Sequence, residues 1–199
     1  MKRYLILLFY LIAGTALAQQ PESEQVKIYV ALSQSAAANQ PDSAVRYANE
    51  GMRLAEKRND RPGQAALLLA LGYINAVHGH TELARGFYNE ALGLHRQLQD
   101  PAGVARAYDR LGVLDGNTSS FDEALKYNRD SRDSSGLVET YEDMGHSLEE
   151  TGANEKALSY YLRALTQYEQ LKSLYFHWEL NSNLPFFFKL DMTACVASV

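Results

Sequence analysis

The stretch from Gly63 to Gly79, GQAALLLALGYINAVHG, reads as an amphipathic helix that closes on a glycine. It is followed at once by a second helical pattern, TELARGFYNEALGLHRQLQD, from Thr81 to Asp100. Inside the first helix sits Gly72, where glycine costs about 1 kcal/mol relative to alanine. The pair Leu71-Gly72 returns forty residues later as Leu111-Gly112 and thirty-three after that as Met144-Gly145. The same register reaches Ala31-Leu32 upstream and Leu184-Pro185 downstream. Thirteen residues after the first member of each pair stands an alanine: Ala44, Ala84, Ala124, Ala157 and Ala197. Seven residues further on is a small residue in each complete copy, Gly51, Ala91, Ser131 and Ala164. The chain is therefore an internal repeat.

Each copy carries a helical pattern on both sides of a turn marked by glycine, at Gly79, Gly116 and Gly152. Ser43, Thr81 and Asn154 are candidate helix starters. The unit is a helical hairpin, and the interior glycine is expected where its two helices approach most closely. In that reading Ala124 is the small residue facing Gly112. The seven-residue shortening of one copy is placed between Ala124 and Met144, and seven residues make about two helical turns, so the buried face keeps its register. Tyr108 and Tyr141 precede their Leu or Met by three, and Tyr88 and Tyr161 follow their alanines by four.

The order Leu71, Gly72, Gly79, Ala84, Tyr88, Ala91, repeated as Met144, Gly145, Gly152, Ala157, Tyr161, Ala164, resembles the tetratricopeptide repeat in its 40-residue variety. The resemblance implies an all-α fold, a right-handed α-solenoid of four to five helical hairpins with the last incomplete. The expected divisions are a degenerate first hairpin over 19–62, then copies over 63–102, 103–135 and 136–175, and a divergent last repeat over 176–199. Leu32 and Pro185 depart from the glycine column, and the chain ends two residues after Ala197. A capping helix with a polar outer face is expected at the end of such an array, and LPFFFKLDMTACVASV does not read as one.

In this family the first helix of each hairpin lines a concave, ligand-binding face. Carried over by register, that face holds Tyr29 and Ser33, then Ala66, Leu69 and Tyr73, then Arg106, Asp109, Arg110 and Asn117, then Glu139, Glu142, Asp143, His146 and Glu149. Arg106 and Arg110, four apart on one helix side, resemble half of a carboxylate clamp for a peptide C-terminus. The other half needs Lys and Asn where this chain has Leu69, Ala70 and Tyr73, so the arginines read as a solvated pair. The acidic run from Glu139 to Glu150 fits a basic peptide, and it equally fits a solvated helix face. The resemblance implies a non-catalytic scaffold for a protein or peptide. A second implication is the extracytoplasmic sensing part of a bacterial signalling protein, such as a sensor histidine kinase.

The formal charge of -5 and the lack of a Lys/Arg cluster argue against a nucleic-acid surface. Residues 1–18 pair Lys2 and Arg3 with an apolar block and Ala16-Leu17-Ala18, the pattern of a cleaved export signal. That block, about 15 residues, is short of the ~20 needed to span a bilayer. Cleavage would shift the charge from -5 to -7 by removing Lys2 and Arg3. The expected destination is the periplasm or the exterior, with no membrane span after the signal. The single Cys195 cannot form an internal disulfide.

No phosphate loop, dinucleotide fingerprint or nucleophile elbow occurs, and no cofactor or metal is expected. His78, His80 and Glu82 straddle a turn without a third ligand at helical spacing, so they read as surface groups. Asn117-Thr118-Ser119 is a glycosylation sequon, meaningful only in a eukaryotic secretory route.

Overall fold

The computed structural model describes residues 22–116 and 118–183, with side chains described for 24–116 and 118–173. The expected signal, Asn117, Pro185, Cys195 and Ala197 lie outside the described residues. Among the described residues the chain is all-α, with eight helices and no strands. They are α1 (Glu22–Ala36), α2 (Pro41–Lys57), α3 (Arg61–Val77), α4 (Thr81–Gln97), α5 (Pro101–Asp115), α6 (Thr118–Asp130), α7 (Ser134–Glu150) and α8 (Asn154–Asn183). The chain divides into two compact units between Tyr127 and Asn128, within α6.

In the first unit each helix from α1 to α5 packs on the next, and α3 also touches the helices two away on either side. This is the contact pattern of stacked hairpins, in which each pair buries its apolar stripe against its neighbours. Alanine makes close stacking possible. Ala44, Ala48, Gly51 and Ala55 form the buried stripe of α2, and Ala84, Tyr88, Ala91 and Leu92 that of α4. Tyr88, Leu92, Val104, Ala107 and Leu111 join α4 to α5 in one apolar cluster. In the second unit α7 packs on α8, with Tyr141, Met144, Ala157 and Ala164 buried.

The repeated glycine is a point of close approach, but an aromatic faces it. A Cβ built on Gly72 would stand 2.3 Å from Tyr88 Cε1, one on Gly145 2.4 Å from Tyr161 Cε1, and one on Gly112 2.8 Å from Phe121 Cδ1. The expectation that Ala124 faces Gly112 is therefore corrected to Phe121. Sixteen residues separate glycine from ring in two hairpins and nine in the third, so the seven missing residues lie at the hairpin tip. They do not lie between Ala124 and Met144. From the ring onward the spacing is constant: Phe121 precedes Asp133 by twelve residues, as Tyr88 precedes Asp100. Ala124 is thus the partner of Ala91 and Ala164, and Ser131 falls at the helix end, where its hydroxyl donates to the Asn128 carbonyl.

Two kinds of turn alternate. Within hairpins the chain reverses at Gly79, Gly116 and Gly152, all with φ between 60° and 77°, a conformation that suits glycine. Between hairpins the left-handed residue is Asn59, Gln99 or Arg132, with φ of 54°, 54° and 57°. An aspartate follows each: the carboxylates of Asp60, Asp100 and Asp133 accept the backbone N–H of Gly63, Gly103 and Gly136 at 2.9 Å. These aspartates are the helix caps. Ser43, Thr81 and Asn154 are not: Thr81 and Asn154 are already the first helical residues, and Ser43 is the third of α2. The glycines of this Asp-x-x-Gly junction have no room for a side chain. A Cβ on Gly63 would meet Val26, on Gly103 His95, and on Gly136 Asn128.

No Asp-x-x-Gly occurs between Leu165 and Asn183, and α8 runs unbroken to Asn183, through the expected boundary at 175.

Candidate functional site

On the first unit, Tyr73, Asp109 and Arg110 surround Tyr88. The Tyr88 ring is held under Gly72, and burial pushes its phenol up to about 12. The nearby Arg110 charge opposes that shift, while Tyr73 and Asp109 add to it. Tyr73 is 37% exposed and presents its ring to solvent. Asp109 is only 3% exposed, which corrects its assignment to a ligand-contacting surface. The reason is helical phase: Ala105, Asp109 and Gly112 share the buried side of α5. Ser33 is likewise buried, its hydroxyl donating to the Val30 carbonyl at 2.8 Å. Arg106 is exposed and lies near enough to His95 for its charge to depress that imidazole.

His95 occupies the junction below α5. Its Nδ1 is 2.9 Å from Asp100 Oδ2, and Nδ1–H donating to the carboxylate fixes the neutral tautomer. Nε2 is buried without a hydrogen-bond partner among the described residues. Burial lowers the His95 pKa first of all, and the Asp100 carboxylate works against it. His78 binds the preceding hairpin, its Nε2 2.9 Å from the Ala37 carbonyl oxygen.

On the second unit, Glu139, Glu142, His146 and Glu149 stand at successive steps of three, four and three along α7, which places them on one side of the helix. All four are exposed, and Asp143 beside them is half-buried. Tyr161 from α8 completes this surface. Its hydroxyl donates to Glu149 Oε2 at 2.8 Å and lies 3.0 Å from His146 Nδ1, whose N–H it accepts. The His146 ring meets Tyr161 edge-on at 5.4 Å. Loss of hydration against Gly145, followed by the bond to Glu149 and the charges of Glu149 and Glu142, raises the phenol to about 12. Tyr161 therefore stays protonated and anchors the end of an acidic strip. Sequence reading placed Tyr161 in the aromatic column without a surface role. The available signal was its position sixteen residues after Gly145, the same step as Gly72 to Tyr88.

The strip offers carboxylates at close spacing, which raises local negative potential and draws cationic groups. Among the described residues no group of three or more His, Cys, Asp or Glu is gathered to hold a metal ion, and no helix is long and apolar enough to cross a membrane. No family model matches the chain, and no curated protein matches it.

Proposed function

We propose that this chain is an exported, tetratricopeptide-like stack of helical hairpins that binds a basic segment of another protein and carries out no chemistry of its own. The observation that carries the reading is the exposed row Glu139, Glu142, His146 and Glu149 on α7, locked at one end by Tyr161. Several fixed carboxylates on one rigid helix face favour lysine- or arginine-rich ligands and speed their encounter. Regular helices hold the backbone beneath these groups in place without ligand, so the ordering cost on binding is confined to the glutamate side chains. Tyr73, Arg106 and Arg110 form a second surface on the first unit, of opposite charge character.

The family assignment rests on the glycine, aromatic and alanine columns, and export on residues 1–18. Crosslinking in the native cell envelope identifies the partner. Capture of that partner is then compared between the native protein and Glu139→Lys/Glu142→Lys, both exposed positions. The reading expects severalfold weaker capture by the variant and a steep loss with added salt. Equal capture by both proteins at low salt refutes the acidic-strip assignment.

A further inference from the structure

The opposite side of α3 from Ala66, Leu69 and Tyr73 borders an open groove of about 690 Å³, lined by α2, α3 and α4. Leu68 and Leu71 of α3 line it with Met52 of α2 and Phe87 and Leu94 of α4. Each flanking helix adds one carboxylate, Glu56 from α2 and Glu90 from α4. Neither has an ion-pair or hydrogen-bond partner for its side chain among the described residues. Arg61, the one cation among the lining residues, donates to Gln97 Oε1. The groove thus combines an apolar lining with two carboxylates on separate helices, neither bonded to Arg61, whose guanidinium keeps its charge on the neutral Gln97 amide, and the lining is net negative.

Gly93 adds an independent observation. It lines the groove in the interior of α4, and a Cβ built there meets nothing within 4 Å. Gly72, Gly112 and Gly145 are held by rings that a side chain would strike, whereas no contact within the described chain requires glycine at 93. Glycine weakens a helix interior through backbone entropy, so its lasting structural effect at this place is an open notch in the groove wall.

We propose that this groove docks a cationic amphipathic segment of a partner protein. A large apolar side chain of that segment enters beside Gly93 over Leu68 and Leu71. Lysine or arginine side chains on either side of it meet Glu56 and Glu90. The site belongs to the first unit and is separate from the α7 strip, so either assignment stands or falls without the other.

The test uses fluorescence anisotropy with two labelled synthetic peptides that share a Leu-Phe-Leu centre, one flanked by lysines and the other by glutamates. The lysine peptide binds saturably and weakens with salt, and the glutamate peptide does not bind. Gly93→Leu fills the notch and weakens binding by about tenfold or more, the effect of excluding one large apolar side chain. Its unfolding midpoint is no lower than that of the native protein, since leucine is the better helix former. Glu56→Gln/Glu90→Gln lowers affinity severalfold and flattens the salt dependence. Glu139→Lys/Glu142→Lys leaves this binding unchanged. Absence of saturable binding, equal binding of both peptides, full affinity in Gly93→Leu, or loss of binding in Glu139→Lys/Glu142→Lys overturns the proposal.

Discussion

The substitution Gly→Ala at positions 72 and 86 should change stability in opposite directions, although both lie inside helices of the first unit. In a helix interior the change gains about 1 kcal/mol from propensity alone. At Gly86 an added Cβ meets nothing within 4 Å, so the gain is kept. At Gly72 the Cβ would lie 2.3 and 2.4 Å from Tyr88 Cε1 and Cδ1, against the ~3.5–4.0 Å at which carbon atoms rest. The ring must shift by more than an ångström, and at 2% exposure it is hemmed in by Leu92, Val104 and Leu111. Overpacking of this kind costs roughly 1–3 kcal/mol, rising toward the ~3–5 of a lost aromatic if the ring is expelled. Contacts this close place the cost at roughly 2–4 kcal/mol, so after the propensity gain Gly72→Ala is expected to lose roughly 1–3 kcal/mol net. For a chain of this size that lowers Tm by roughly 2–12 °C, while Gly86→Ala raises it by about 2–4 °C. Thermal and urea unfolding followed by circular dichroism read both. In a Tyr88→Leu background the Gly72→Ala penalty should shrink, giving a measurable coupling energy. Stability at or above native for Gly72→Ala, or a loss for Gly86→Ala, refutes the reasoning.

Stability should also fall on mild acidification. The folded His95 pKa lies below its ordinary 6.5, so the unfolded chain binds more protons as pH drops, and the stabilisation present above 6.5 is lost through the window beneath it. Urea midpoints on the two sides of 6.5 measure this, and His95→Asn, which copies the residue at the next junction, should flatten the slope; an unchanged slope contradicts the assignment. Asp133→Ala removes the cap that holds Gly136 N–H at 2.9 Å and should cost about 1 kcal/mol in urea unfolding, with Asp133→Asn recovering most of it. A neutral Asp133→Ala would show that the junction is held by the backbone alone.

The hairpins themselves were legible in the sequence, because a glycine inside a helix is costly enough to mark a packing requirement wherever it recurs. Gly72, Gly112 and Gly145 all proved to be contact points, and Gly79, Gly116 and Gly152 all proved to be left-handed turns. The position of the shortening was not legible, for a geometric reason. Small residues recur every seven positions along these helices, as in Ala84 and Ala91, and seven residues restore nearly the same helical phase. Ala124 therefore matches either column of alanines, and only the identity of the ring opposite Gly112 separates the two registers. Asp109 was misplaced because a carboxylate looks like surface until the phase of Ala105 and Gly112 is weighed against its polarity. Asp-x-x-Gly occurs four times in the chain, and only Asp60, Asp100 and Asp133 are junctions; Asp109 to Gly112 lies inside α5, so the pattern alone does not separate a cap from a buried helix face. Tyr161 was legible as a packing aromatic but not as a surface group, because one side chain serves both purposes, its ring packing on Gly145 while its hydroxyl holds Glu149.

The two kinds of turn are under different physical demands. At the hairpin tip only a left-handed glycine is needed, so residues can be removed: α5 and α6 are 15 and 13 residues long where α3 and α4 are both 17. At the junction a left-handed residue, a capping carboxylate, a bare glycine and a side chain of the preceding helices must fit together. For Asp100 and Asp133 that side chain is His95 or Asn128, polar groups buried beside the cap, whereas at Asp60 it is the apolar Val26. A hairpin can thus lose two helical turns at its tip while the joint to the next hairpin keeps all its parts. Where that joint is missing, after Leu165, nothing in the sequence competes with continued helix, and α8 accordingly extends to Asn183. The exposed row Glu139, Glu142, His146 and Glu149 lies on the helix between these joints, where side chains can vary without disturbing the fixed contacts.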